Sequence, residues 1–158
     1  MVELERACEI GAVGVLTLSN INGTHLTEEL FTLVWEAVDE KELPLLLHPA
    51  YPPGIDDLAL SQYVIVASIG FMIDTSTAVI RMVGDGFVDR FSKLKLIAAH
   101  ADGILPYLIG RLDQVYDKTN RAPVNISKPP SEYLQHIYCD ALTYRQESLE
   151  MCMCADWQ

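Results

Sequence analysis

Positive charge is scarce in this sequence: 11 Lys and Arg stand against 22 Asp and Glu, a formal net charge of −11 over 158 residues. No local run of Lys or Arg offsets that balance, which argues against a nucleic-acid partner, since phosphates are held by a basic face. A phosphate cradle is missing too, with neither a Gly-x-Gly-x-x-Gly fingerprint nor a Walker loop. The opening residues 1–11 lack the basic segment and apolar stretch of a secretory signal. The longest apolar run, residues 63–73, is broken by Ser68 and Gly70 and falls short of the roughly 20 residues that a bilayer crossing takes. Cysteine is sparse and scattered, at Cys8, Cys139, Cys152 and Cys154, and the last two lack the two-residue spacing of a zinc knuckle or redox pair. Reduced, structurally buried thiols are expected rather than metal ligands, in a cytoplasmic protein with no membrane partner.

What is present reads as a globular α/β chain. Hydrophobic residues make up 50% and charged residues 21%, enough apolar side chain for a real core and too little charge for disorder. Residues 2–10 read as a helix stopped by Gly11. Residues 13–18 read as a strand that runs into Ser19-Asn20 and a turn at Asn22-Gly23. Thr27 is expected to cap a helix with Leu30, Phe31, Val34, Trp35 and Val38 on its apolar face. A second strand, 43–47, delivers His48, and a Pro-rich loop follows. Residues 58–70 carry strand propensity at Tyr63-Val64-Ile65-Val66, but no turn sets them off, and helix is the expectation. Asp74 or Thr75 is expected to cap a helix through Phe87.

Residues 91–113 hold the clearest signal. An apolar run at 94–99 ends in His100, a short Ala101-Asp102-Gly103 turn follows, and Pro106 sits where a first helical turn tolerates it. That is a strand, a polar tip and a helix running to about Tyr116. Residues 118–130 read as a polar loop, 131–135 as a short helix, 136–140 as a strand and 145–154 as a final helix. Strands alternating with helices imply βαβ units and a parallel sheet. About four such units make part of a (β/α)8 barrel rather than a whole one, and residues 1–158 read as one incomplete barrel domain. The tips Asn20, His48, His100 and Asp140 are polar and fall where such folds place their chemistry.

Taken together, these pieces resemble a known family. The matching motifs are Gly11-Ala12-Val13-Gly14, Ser19 through Gly23, Trp35-Glu36-Ala37, and Leu43-Pro44 with Leu47-His48-Pro49. They continue with Gly70 through Thr75, Gly86 through Phe91, Lys93-Leu94-Lys95, His100 through Gly103, Leu105 through Asp113, and Tyr138 through Ala141. In order and spacing they resemble the amidohydrolase-2 family, the group containing the aminocarboxymuconate-semialdehyde decarboxylases. The resemblance implies a metal-dependent (β/α)8 barrel, usually with zinc, that decarboxylates or hydrolyses a small carboxylated, ring-derived substrate.

By the same resemblance His48, ending the fifth barrel strand, is a zinc ligand; imidazole suits zinc. A lone core histidine satisfied by a backbone carbonyl is the bland alternative. His100, at the sixth strand, is the acid/base group, because imidazole titrates near neutrality. Arg111 matches an arginine that grips a substrate carboxylate in the neighbouring subunit, which implies a homodimer. A helix cation paired with Asp113 explains Arg111 equally well.

Departures from the family matter as much. The amino-terminal His-x-His and the eighth-strand aspartate have no counterpart here, so a single metal ligand is found where catalytic zinc needs about three. Ala101-Asp102 also stands where the decarboxylases carry Gly-Gly, which puts an anion beside the site. The expected function is a zinc-dependent carboxy-lyase or hydrolase, inactive as this short chain. The rival expectation is a non-catalytic, truncated or pseudo-enzyme barrel fragment that works through self-association or binding.

Overall fold

A computed structural model describes residues 2–118 and 125–154 of the chain. Helix α1 (Val2–Glu9) ends at Gly11, whose φ of 98° only glycine adopts freely. Strand β1 (Val15–Leu18) follows. The expected turn at Asn22-Gly23 closes a small antiparallel hairpin, β2 (Asn20–Ile21) against β3 (Thr24–His25). Both central residues have positive φ, which matches the right-handed twist of paired strands.

Helix α2 (Thr32–Glu40) starts later than the sequence suggests, after a 3-10 turn at Glu29–Phe31, and Thr27 does not cap it. Strand β4 (Pro44–His48) comes next, then the Pro-rich loop. The helix expected over 58–70 is interrupted by Tyr63 and Val64, with φ of 54° and 60°. It is realised as a 3-10 turn, Gln62–Val64, and a π-helical turn, Val66–Gly70, that feeds α3 (Phe71–Gly84).

Asp74 and Thr75 therefore lie inside α3 and do not cap it, and both are buried. Contrary to the expectation from run length, the helical stretch Gln62–Gly84 is long and apolar enough by length and composition to cross a membrane. Its second half instead buries Thr75, Val79, Met82 and Val83 in the core and carries the buried Asp74. Then come α4 (Phe87–Arg90), β5 (Lys95–Ala98), α5 (Leu105–Lys118), α6 (Pro130–Leu134), β6 (Tyr138–Cys139) and α7 (Gln146–Cys154). The expected loop over 118–130 lies partly outside the described residues.

Strands β1, β4, β5 and β6 form one parallel sheet in chain order, with Leu18 opposite His48, Leu47 opposite Ala98, and Ala98 opposite Cys139. Neighbouring parallel strands joined by helical crossovers are the repeating unit of a barrel, and four such strands form part of one.

The pleat sorts the side chains. Leu45, Leu47, Leu96 and Ala98 turn to the helices and are buried. They meet Trp35, Val79, Met82, Phe87, Leu105 and Leu134 in one core cluster. Trp35 stands edge-on to Phe87 at 5.9 Å, and its indole N–H donates to the Leu26 carbonyl at 2.8 Å, so the ring is apolar-packed and polar-satisfied at once. The opposite face carries Leu16, Leu46 and Ile97 around an open apolar hollow. Alternation along β4 puts His48 on this second face, two residues beyond Leu46.

Candidate active site at the strand tips

The parallel strands deliver their last residues to one rim. His48 ends β4, His100 stands two residues beyond β5, and their rings lie 5.6 Å apart between centroids at 59°. The structure thus brings together the two histidines that the sequence singled out. The Nδ1 of His48 lies 2.9 Å from the Pro49 carbonyl oxygen, which can only accept. In the neutral ring Nδ1 therefore carries the hydrogen and Nε2 keeps its lone pair, the arrangement of a histidine oriented to ligate or accept. The Nδ1 of His100 is buried and has no hydrogen-bond partner among the described residues.

His100 is presented by a left-handed turn. His100, Ala101, Asp102 and Gly103 have φ of 58°, 49°, 63° and 65°. Each non-glycine residue there costs about 1–2 kcal/mol, so the turn must be held from outside. Asp140, just past β6, does the holding. Its carboxylate accepts from the backbone N–H of His100 and Ala101 at 2.9 Å each, and of Leu142 at 3.0 Å. Burial pushes the Asp140 carboxyl up, but the N–H donors of Leu142, Ala101 and His100, helped by the His100 ring, outweigh it and hold the carboxyl below its ordinary value. From the other side Gly103 presses on α3: a Cβ there would lie 2.5 Å from both the Met72 carbonyl and the Ser76 hydroxyl. Sequence alone marked Asp140 as a polar tip without assigning it this work.

Asp102, expected as an anion beside the site, is buried as a neutral acid. It is 0% exposed, and both carboxyl oxygens lack partners among the described residues. Burial, and then the charge of Asp140, raise its pKa from 3.8 to about 8, so the neutral acid predominates at pH 7. Two thiols share this region. Cys139 is pushed up to about 11 by burial first, then by Asp102, Cys152 and Asp140. Cys152 is also raised, chiefly by burial, and its thiol reaches the Ala101 carbonyl at 3.7 Å.

A cavity of about 480 Å³ opens beside His100, walled by Met72, Tyr107, Thr143, Tyr144 and Met151. Arg111 is elsewhere. It is exposed on α5 and lines a separate apolar groove of about 330 Å³ with Ile80, Val83 and Leu112. Among the described residues no three His, Cys, Asp or Glu side chains gather into a metal-holding group.

Comparison with known proteins agrees with this architecture. The 2-amino-3-carboxymuconate-6-semialdehyde decarboxylase of Dictyostelium discoideum is 27% identical over 150 residues, covering 94% of this chain and 41% of that protein. The crystal structure of 5-carboxyvanillate decarboxylase from Sphingomonas paucimobilis superposes with a TM-score of 0.86 at 27% identity, over 98% of this chain and 48% of that one. A dihydroxybenzoic acid decarboxylase from Polaromonas, solved with bound manganese and the inhibitor 2-nitroresorcinol, gives a TM-score of 0.81 at 23% identity, over 98% of this chain and 50% of that one. The chain thus spans half or less of the length of these relatives, and the fold it shares with them is a partial barrel. The sequence profile of the amidohydrolase family matches residues 1–142. With that match and the barrel-type sheet, the chain belongs to the amidohydrolase family.

Proposed function

We propose that this chain carries the two-histidine part of a decarboxylase site for a small, carboxylated, ring-derived acid. The observation that carries the reading is the His48–His100 pair, 5.6 Å apart at the tips of adjacent parallel strands. The relatives named above are decarboxylases, which favours that chemistry over hydrolysis. In decarboxylation the carbon–carbon bond to the carboxylate breaks, carbon dioxide leaves, and a proton takes its place on the carbon. His100 is the proton donor in this reading. Its ring lines a cavity with aromatic and thioether walls suited to an aromatic acid, and its buried Nδ1 is not committed to a structural bond among the described residues.

His48 is the candidate metal ligand, because its Nδ1 is tied to a carbonyl, which leaves the lone pair on Nε2. A divalent ion, zinc or the manganese seen in the Polaromonas enzyme, would supply Lewis acidity there. The described residues do not hold such an ion by themselves, since a catalytic site takes about three protein ligands and one is found here. Arg111 faces a groove that His100 does not line, so a grip on the substrate carboxylate would be made across a homodimer. Four unpaired thiols support a reducing, cytoplasmic setting.

A second, non-catalytic reading rests on the open sheet face. Val13 and Leu16 are 82% and 61% exposed beside the free edge of β1, a surface suited to association. One experiment separates the two. The purified chain is incubated with manganese or zinc and with 5-carboxyvanillate or dihydroxybenzoates, and carbon dioxide release is followed. Release that His100→Ala abolishes supports the site. No release, with no metal retained and a mass above the monomer's, supports association instead.

A further inference from the structure

The sequence suggested Asp74 as a helix cap, yet it lies in the fourth position of α3, 5% exposed, with its carboxylate turned toward two strand tips. It accepts from the Ser19 hydroxyl, from the Asn20 side-chain amide at 3.1 and 3.3 Å, and from the Ala50 backbone N–H at 2.8 Å. Ser19 and Asn20 follow β1, and Ala50 stands two residues past His48. Asp74 thereby ties α3 to the segments that leave β1 and β4.

The geometry points to Asp74 as a positioning residue for the His48 imidazole, acting through the backbone that follows β4. The inference rests on the reading of His48 and His100 as the site. The Pro49 carbonyl that accepts from His48 Nδ1 is clamped on both flanks. Before it, the His48 carbonyl accepts from the Ser19 N–H at 2.9 Å. After it, the Ala50 N–H is held by Asp74 and by the Ser19 hydroxyl at 3.1 Å. Asn20 closes the same frame, donating to the Tyr51 carbonyl at 3.2 Å and accepting from Gly23 at 2.9 Å. A carboxylate is the right group at this junction, because only an acceptor with several lone-pair sites can take three donors at once. The bonds reach the backbone on either side of His48 and stop short of its ring. Asp74 therefore governs which way the imidazole faces without taking part in chemistry.

The test reads the ring directly. Nitrogen NMR of the full chain, with both rings neutral, reports which nitrogen of His48 carries the hydrogen. The wild type is expected to hold it on Nδ1. Asp74→Ala should move the tautomer ratio about five-fold toward even, the scale of one lost hydrogen bond. Asp74→Asn, which keeps one acceptor oxygen, should recover part of the shift. Ser19→Ala removes a single member of the frame and gives a smaller displacement if Asp74→Ala does not fold. A melting temperature that falls while the His48 tautomer stays fixed in the folded variants would overturn the inference and leave Asp74 as a structural residue only. Failure of the site reading shows differently: the wild-type rings of His48 and His100 would give no mutual proximity signal, whatever the Asp74 variants do.

Discussion

Asp102 should make this fold weaken as pH rises, through a range where most proteins are stable. The folded chain holds its proton to about pH 8, whereas the ordinary carboxyl value is 3.8. Between those values the unfolded chain ionises alone and binds fewer protons than the folded one. Stability contributed by Asp102 is therefore full below about pH 4 and declines until the folded group itself ionises near pH 8. The slope is about 1.4 kcal/mol per pH unit, which amounts to roughly 4 kcal/mol by pH 7. That is a large share of the roughly 5–15 kcal/mol that a domain possesses. An asparagine side chain has nearly the shape of the neutral acid and tolerates the left-handed backbone, so Asp102→Asn removes the titration and little else.

Urea unfolding followed by circular dichroism, at unit steps from pH 5 to pH 9, measures both proteins. The difference between them is the readout, because every other carboxylate cancels. It should grow by about 1.4 kcal/mol per unit in favour of Asp102→Asn and level off above pH 8. Parallel curves would refute the reasoning, since they would mean that Asp102 ionises as freely in the folded chain as in the unfolded one.

Asp140→Ala should release the left-handed turn, because the His100, Ala101 and Leu142 N–H groups lose their shared acceptor. A loss of about 2–4 kcal/mol in urea unfolding, with collapse of the His48–His100 proximity signal, is the expected result. Gly103→Ala forces a Cβ to 2.5 Å from the Met72 carbonyl and should move the turn off α3, read as a His100 chemical-shift change together with a lowered melting temperature. Phe87→Ala empties the centre of the aromatic column, where Phe87 is 1% exposed, and should cost about 3–5 kcal/mol by the same unfolding assay. Alkylation at pH 8, read by peptide mass, should leave Cys139 nearly unreacted. With its thiol pushed up from 9.0 to about 11 it holds about a hundred-fold less thiolate than an ordinary cysteine, by the gap in pKa.

Much of the fold was legible because it is written in short-range pattern. The apolar runs ending at His48 and His100 announced buried parallel strands, and the helical spacing after Pro106 announced α5, since period and length are local properties. The order of strands and helices then implied a barrel segment, because parallel neighbours need crossovers. Local pattern failed where distant partners decided the outcome. Asp74 reads as a cap from its neighbours in sequence and becomes a buried junction only because β1 and β4 bring Ser19, Asn20 and Ala50 to it. The helix over 58–70 breaks at Tyr63 and Val64, whose aromatic and β-branched character gives no warning of positive φ.

The candidate site divides the same way. Residue type and strand-end position were enough to nominate His48 and His100. Their separation and the clamp from Asp140 depend on segments 40 or more residues apart meeting at one rim. Asp102 shows the limit most clearly. By sequence it is an anion set beside the site. Tertiary burial with no hydrogen-bond partner among the described residues reverses that, because removing a carboxylate from water disfavours its ion.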